Sequence, residues 1–346
     1  MAAERRMRYR QARSGHMRGR ALLRDAIAIG VVLCAVTPLS ATAQDWPTRS
    51  LTIVVPFAAG GAADGTARVL AGGLSQVLGQ NVIVENFTGA GSTIGATRVA
   101  KGPADGYQLL LGSTGTYAHS QALYKHPPYD TMKDFAPVAL ISRQALVLAV
   151  RKDLPADDLQ TFIAYAKANQ AKMQYGSAGA GSGIHLACAL FNAAIGVHVT
   201  HVPYRGGAPA LQDLIGGRID YLCLTDLTAR AQIEGGTIKA ITALGPTRSP
   251  HLPELASARE QGLADFDVGI WYALAAPKAV PAAIVRKLHA ATVAAMELPI
   301  VQTQTHKMGA DLVPSDERSS QYLQTFLESE IAKWGKTIKA SGIALD

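Results

Sequence analysis

Residues 51–78, LTIVVPFAAGGAADGTARVLAGGLSQVL, decide the fold. Leu51–Val55 is a short β-branched apolar run, the kind that forms a strand buried on both faces. Pro56 lacks the N–H that a sheet ladder needs and marks the strand's end. Gly60, Gly61 and Gly65 allow a tight turn and the close approach of another group. Leu70, Leu74, Val77 and Leu78 recur at helical spacing and give the next element a core face. A strand that passes through a glycine loop into a helix leaves unpaired N–H groups at the helix start. The positive end of the helix dipole lies behind them, and together they suit an anion.

The same unit returns along the chain. Asn81–Val84, Tyr107–Leu111, Lys172–Tyr175, Val197–Val202, Ile219–Leu224, Ile238–Leu244 and Gly269–Ala276 read as strands. Residues 96–101, 159–169, 184–194, 209–215, 229–234, 281–296, 299–308 and 319–341 read as helices. Pro137–Val150 is apolar and long enough for a strand pair, or for one strand crossing between domains. Alternation at this density predicts an α/β architecture with largely parallel sheets. Two further loops, Gly89–Gly95 and Ser177–Gly183, share the composition of the first and also open helices. Loops of this kind sit at the carboxyl ends of strands, where ligands bind. Their plainer reading is an ordinary turn into a helix.

Residues 1–43 read as a secretory signal peptide rather than as fold. Eight arginines precede the uncharged run Ala26–Leu39, and Ala41-Thr42-Ala43 supplies a small-x-small cleavage signature, with cleavage after Ala43. The run is shorter than the ~20 residues of a membrane span. The full chain has 33 Lys+Arg and 26 Asp+Glu; the leader holds 8 and 2 of them, leaving 25 and 24. The basic excess therefore belongs to the leader and gives no support for a nucleic-acid partner. The mature chain is large enough for two domains. Cys188 and Cys223 remain; an oxidising compartment would let them pair, but their apolar surroundings favour two buried thiols. Neither their spacing nor any His pair forms a metal signature, and no cofactor is expected.

The loops carry no assembled catalytic group. Gly89–Gly95 is one residue off the dinucleotide-binding spacing, and no P-loop lysine occurs. No G-x-S-x-G exists. Ser182 and His185 share a helical turn but have no orienting carboxylate nearby in sequence, so His185 reads as a residue lining the helix start. Asp64 reads as a first-turn helix charge rather than an acid catalyst. Arg205 could pair with a ligand carboxylate or stand in solvent. Asp226 reads equally as a site residue or as a helix cap.

Seven stretches taken in order then resemble one family. They are VVPFAAGGAADGTAR, VENFTGAGSTIGA, DGYQLLLGSTGTYA, LYKHPPYDTMKDFAPVALI, YGSAGAGSGIHLACALF, VPYRGGAPALQDLIGGRIDYLC and IWYALAAPKAVP. They are similar to the successive motifs of the Bug, or TctC-like, periplasmic solute-binding receptors of tripartite tricarboxylate transporters. The resemblance implies a two-domain Venus-flytrap fold with two crossover strands, near Leu146–Val150 and Val268–Ala273. The implied domains are 44–148, 149–267 and a C-terminal return, 268–346. It also implies a monomeric receptor without catalysis or cofactor. Such a receptor captures a small organic acid in the periplasm and passes it to a membrane permease. An exported hydrolase of a small acid is the alternative.

By position, the resemblance puts Phe57, Ala58, Gly60, Gly61, Ala62 and Asp64 around one carboxylate. Ser92, Thr93, Ser113 and Thr114 join that wall. Ser177, Ser182, His185, Tyr204, Arg205 and Gly206 face them, with Thr225 and Asp226 beyond. Two departures stand out. Gly115-Thr116-Tyr117-Ala118 replaces the family's frequent Gly-Thr-His-Ala, and Leu224-Thr225 stands where a subgroup has Asp-Gln. The lost acid implies a ligand whose far end is neutral or apolar.

Overall fold

The structure, a computed structural model, describes residues 46–264 and 266–344. The leader and its cleavage site lie outside the described residues. The strand β1 (Leu51–Val55) enters helix α1 (Ala62–Leu78), followed by β2 (Val82–Asn86), α2 (Thr93–Ala100) and β3 (Gln108–Ser113). A π-helical turn, Gly115–His119, leads to the short α3 (Ser120–Leu123) and α4 (Thr131–Asp134), and then to β4 (Phe135–Arg151). The next stretch holds α5 (Leu159–Asn169), β5 (Gln174–Ser177), α6 (Gly183–Ile195) and β6 (Thr200–Pro203). It continues with α7 (Gly207–Ile215), β7 (Tyr221–Thr225), α8 (Asp226–Glu234) and β8 (Ile238–Ala243). β9 (Gly269–Pro277), α9 (Ala282–Glu297), α10 (Pro299–Lys307), β10 (Asp311–Leu312) and α11 (Ser320–Ser341) close the chain.

The strands follow the order β2-β1-β3-β9-β4-β7-β5-β6, with β8 and β10 also on β4. β1 is parallel to β2 and β3, and β5 is parallel to β6 and β7. β4 and β9 run antiparallel to their neighbours. The sheet is therefore parallel at its two wings and antiparallel in the middle. The run that begins at Pro137 forms one strand, not a pair. Its first part pairs with β9 as far as Ala145, and from Leu146 it pairs with β7. Register shifts after Pro137, Leu140 and Leu148 bend it from one lobe into the other. Almost every side chain on it is buried, which is why it shows no polar alternation.

The expected helices and strands are present with shifted ends. The π-turn at Gly115–His119, α3, α4 and β10 carry no periodicity long enough to announce them. Tyr117 is a core residue. Its hydroxyl donates to the Leu110 carbonyl at 3.1 Å and its ring stacks on Trp271.

The reading of Cys188 and Cys223 as separate thiols is corrected. They form a disulfide, with Cα atoms 5.6 Å apart. Both are fully buried, one on α6 and one on β7, and the packing of that helix on that strand brings them together. By chain entropy, a crosslink across 35 residues contributes about 4 kcal/mol. It also ties the middle of α6 to the middle of β7, and the start of that helix and the end of that strand line the site.

Candidate functional site

Four helices begin where the lobes meet. α1 opens from the first glycine loop, α6 from the third, α7 from Gly206 and α8 from the end of β7. Their first residues line a cavity of about 40 Å³, room for a few waters. Phe57, Gly61, Ala62 and Ala63 form the α1 side. Ala178, Ser182, Gly183 and Ile184 form the α6 side, and Gly207 begins α7. Leu224, Thr225 and Thr228 come from β7 and α8; Ser113, Ile270 and Tyr272 come from β3 and β9. Among the described residues, no charged side chain lines this wall. The field inside comes from helix N-termini, each worth roughly half a positive charge.

Asp64 shapes the first loop. Its carboxylate accepts from Gly60 N at 3.0 Å, Arg68 Nε at 2.9 Å and Asn86 Nδ2 at 3.0 Å. Burial pushes its pKa up, but the hydrogen bonds from Arg68, Gly60 and Asn86 together outweigh burial and leave it below the usual carboxylate range. The Gly60 amide is thereby committed to Asp64. The first-turn positions that line the cavity are Gly61, Ala62 and Ala63, and the first-turn amides of a helix have no partner within it.

The lobes are closed on each other, backbone to backbone. Ala58 N donates to Arg205 O at 3.0 Å. A Cβ on Gly206 would sit 2.8 Å from Ala58 N, and one on Gly115 would sit 2.6 Å from Gly183 N. A Cβ on Gly91 would lie only 1.9 Å from Ala180 O. The second glycine loop thus meets the third across the seam and stays out of the cavity wall. Gly91 lies at φ +61°, and its neighbours Ala90 and Ser92 also have positive φ. Such strain outside glycine persists only where surroundings impose it.

Other expected residues stand behind the wall. Ser92 accepts from Thr116 Oγ1 at 3.0 Å, Thr93 Oγ1 donates to Ala90 O at 2.9 Å, and Thr114 Oγ1 accepts from Trp271 N at 3.0 Å. The Tyr204 hydroxyl donates to Asp213 at 2.7 Å, and the Arg205 side chain is exposed. Asp226 is a buried first-turn residue of α8. It accepts from Ser249 Oγ at 2.6 Å and Leu227 N at 2.8 Å, and burial raises its pKa.

His185 and His201 lie with ring centroids 4.1 Å apart, and Tyr175 stacks on His201. Burial lowers His185 to about 4; burial, then the neighbouring His185, lowers His201 to about 3. Both are therefore neutral at pH 7. Ser182 Oγ accepts from His185 N at 3.2 Å as a helix cap, so the two side chains form no nucleophile–base pair. Ser177 Oγ does lie 2.6 Å from His201 Nε2, but Ser177 is fully buried and outside the cavity wall. Sequence reasoning missed Ala63, Ala178, Gly183, Ile184, Gly207, Leu224, Thr228, Ile270 and Tyr272. Most are apolar and look like core; Ala63, Gly183 and Gly207 could have been found as first-turn neighbours of residues already singled out.

The model of the tripartite tricarboxylate transporter receptor family matches residues 66–343. Among solved structures, the periplasmic binding protein BugD is 35% identical with a TM-score of 0.83, covering 86% of this chain and 99% of BugD. MatC from Rhodopseudomonas palustris with bound malate is 37% identical with a TM-score of 0.82, covering 85% of this chain and all of MatC. A further R. palustris protein, solved with adipate, is 35% identical with a TM-score of 0.82, covering 87% and 99%.

Proposed function

The chain belongs to the tripartite tricarboxylate transporter receptor family, and from that premise we propose that it captures a small carboxylate between its two lobes and hands it to a membrane permease. The observation that carries the reading is the cavity itself. Four helix N-termini converge on it, and its wall holds no charged side chain. Amide donors and dipoles recognise a carboxylate without a permanent cation, which leaves the ligand free to depart. The malate and adipate of the structural neighbours are ligands of this chemical class.

Carboxylate binding falls to Gly61, Ala62 and Ala63 on one side and to Ser182, Gly183 and Ile184 on the other. Leu224, Thr225 and Ile270 give the cavity an uncharged far side, which supports a ligand whose far end carries no charge. The lobes divide as 44–148 with 268–346, and 149–267. The protein works as a periplasmic monomer, delivered there by its leader. It performs no reaction on the acid.

A thermal-shift screen of organic acids tests this. One acid should raise the melting temperature strongly and be recovered unchanged. Turnover of that acid, or indifference to every carboxylate, would overturn the proposal.

A further inference from the structure

β4 and β9 lie side by side at the hinge, in the register Ser142 with Tyr272 and Gln144 with Ile270. Directly opposed residues of antiparallel strands put their side chains on one face. Tyr272 and Ile270 both line the cavity, so Ser142 and Gln144 emerge beside it, one strand away. Both are buried, and Ser142 Oγ and Gln144 Oε1 have no hydrogen-bond partner among the described residues. Gln144 Nε2 makes only a long bond, 3.4 Å, to Thr66 Oγ1. Thr66 sits one helical turn below Ala62 and Ala63, which also line the cavity. Tyr272 itself lines the cavity and can offer its hydroxyl there.

Buried polar atoms without partners cost free energy, and a native protein retains them for a reason. Ser142 and Gln144 stand next to two residues of the cavity wall, Tyr272 and Ile270. Gln144 Oε1 can only accept, whereas Ser142 and Tyr272 can accept or donate. Asp226 is a charged group close to Tyr272 but outside the cavity wall. Its carboxylate is already bonded to Ser249 and Leu227, and its field reaches Tyr272. Among the described residues, no cation lines the wall to receive a second carboxylate and no carboxylate lines it to hold an ammonium.

We propose that Ser142, Gln144 and Tyr272 form a specificity subsite for an uncharged hydrogen-bond donor, a hydroxyl or amide, at the far end of the bound acid. Contact is direct or through one water. The inference rests on the carboxylate reading above and narrows its ligand class.

The test is calorimetry on the full mature chain with straight-chain acids of three to six carbons. At each length the far end is methyl, hydroxyl, carboxamide, ammonium or carboxylate. The hydroxy or amide acid should bind about tenfold tighter than the methyl acid, and tighter than the diacid or the amino acid. In Ser142→Ala and in Gln144→Leu, the ratio of hydroxy-acid to methyl-acid affinity should fall to about one. Each substitution removes an unpartnered polar atom, and circular dichroism checks that the fold is kept. If acids bind but the diacid or amino acid is preferred, the subsite is wrong and the carboxylate reading stands. The same holds if both variants keep the wild-type ratio. If no acid binds at all, the carboxylate reading itself fails.

Discussion

The first and second glycine loops have the same composition and the same place after a strand, yet they do different work. The first, Pro56–Gly65, lines the cavity with the opening residues of α1, and Asp64 ties it down from behind. The second, Gly89–Gly95, presses its backbone on Ala180 of the opposite lobe. One loop lines the cavity; the other lets the lobes meet. The first loop matters for the backbone it turns to the cavity, and a glycine in the second for what it lets approach.

The sharpest way to break this distinction is Gly91→Ala. Its methyl group would collide with the Ala180 carbonyl, at a backbone φ that disfavours any side chain. Full closure should fail. Affinity for the acid found by screening should drop at least about 100-fold, roughly 3 kcal/mol, measured by calorimetry. X-ray scattering should show that compaction on binding is lost while the unliganded protein keeps its dimensions.

Asp64→Ala attacks the first loop from behind. It removes a buried acceptor of three hydrogen bonds and leaves Gly60 N and Asn86 short of a partner. The cost should be about 2–3 kcal/mol in urea unfolding. Because the folded pKa of Asp64 is depressed, its stabilisation is present above the unfolded value of 3.8 and lost as pH falls through the folded one. The difference between wild type and variant should therefore shrink only below about pH 4.

The helix that the third loop opens carries one source of acid sensitivity, His185. His185 titrates near 6.5 when unfolded and at about 4 when folded, so the unfolded chain takes up protons first as pH falls. Stability from keeping it neutral is complete above about pH 6.5 and declines toward pH 4 by about 1.4 kcal/mol per unit. His185→Phe should flatten the stability–pH curve by that slope within that window. An unchanged slope would show that His185 is not held neutral.

The smallest effect should come from Gly61→Ala. Its Cβ would find only ordinary contacts, 3.7 Å from Ala58 O and 3.9 Å from Ala208 N, and its φ of −89° suits any residue. Affinity should change by less than about fivefold, under 1 kcal/mol. A loss as large as that of Gly91→Ala would erase the distinction between the two loops.

Much of this was legible in the chain. The strand–loop–helix unit at Leu51–Leu78 and its recurrence specify the α/β plan, because buried parallel strands and amphipathic helices each carry a short-range pattern. Phe57, Gly61, Ala62, Ser113, Ser182 and Thr225 were singled out from sequence and line the cavity. What stayed hidden depends on contacts distant in sequence. The Cys188–Cys223 bond needs the packing of α6 on β7. The role of Gly91 needs Ala180 from the other lobe. Ile270 and Tyr272 look like core because they sit on the crossing strand β9, and only the meeting of the lobes makes them cavity wall.

The central claim is that backbone amides at helix starts, not charged side chains, hold the carboxylate. Amide NMR on the ¹⁵N-labelled mature protein tests it most directly, with titration by the acid that the screen selects. The Gly61, Ala62, Ala63, Gly183 and Ile184 amide protons should move downfield together and saturate at one equivalent. If those amides stay in place while an arginine or lysine side chain responds instead, the account is contradicted.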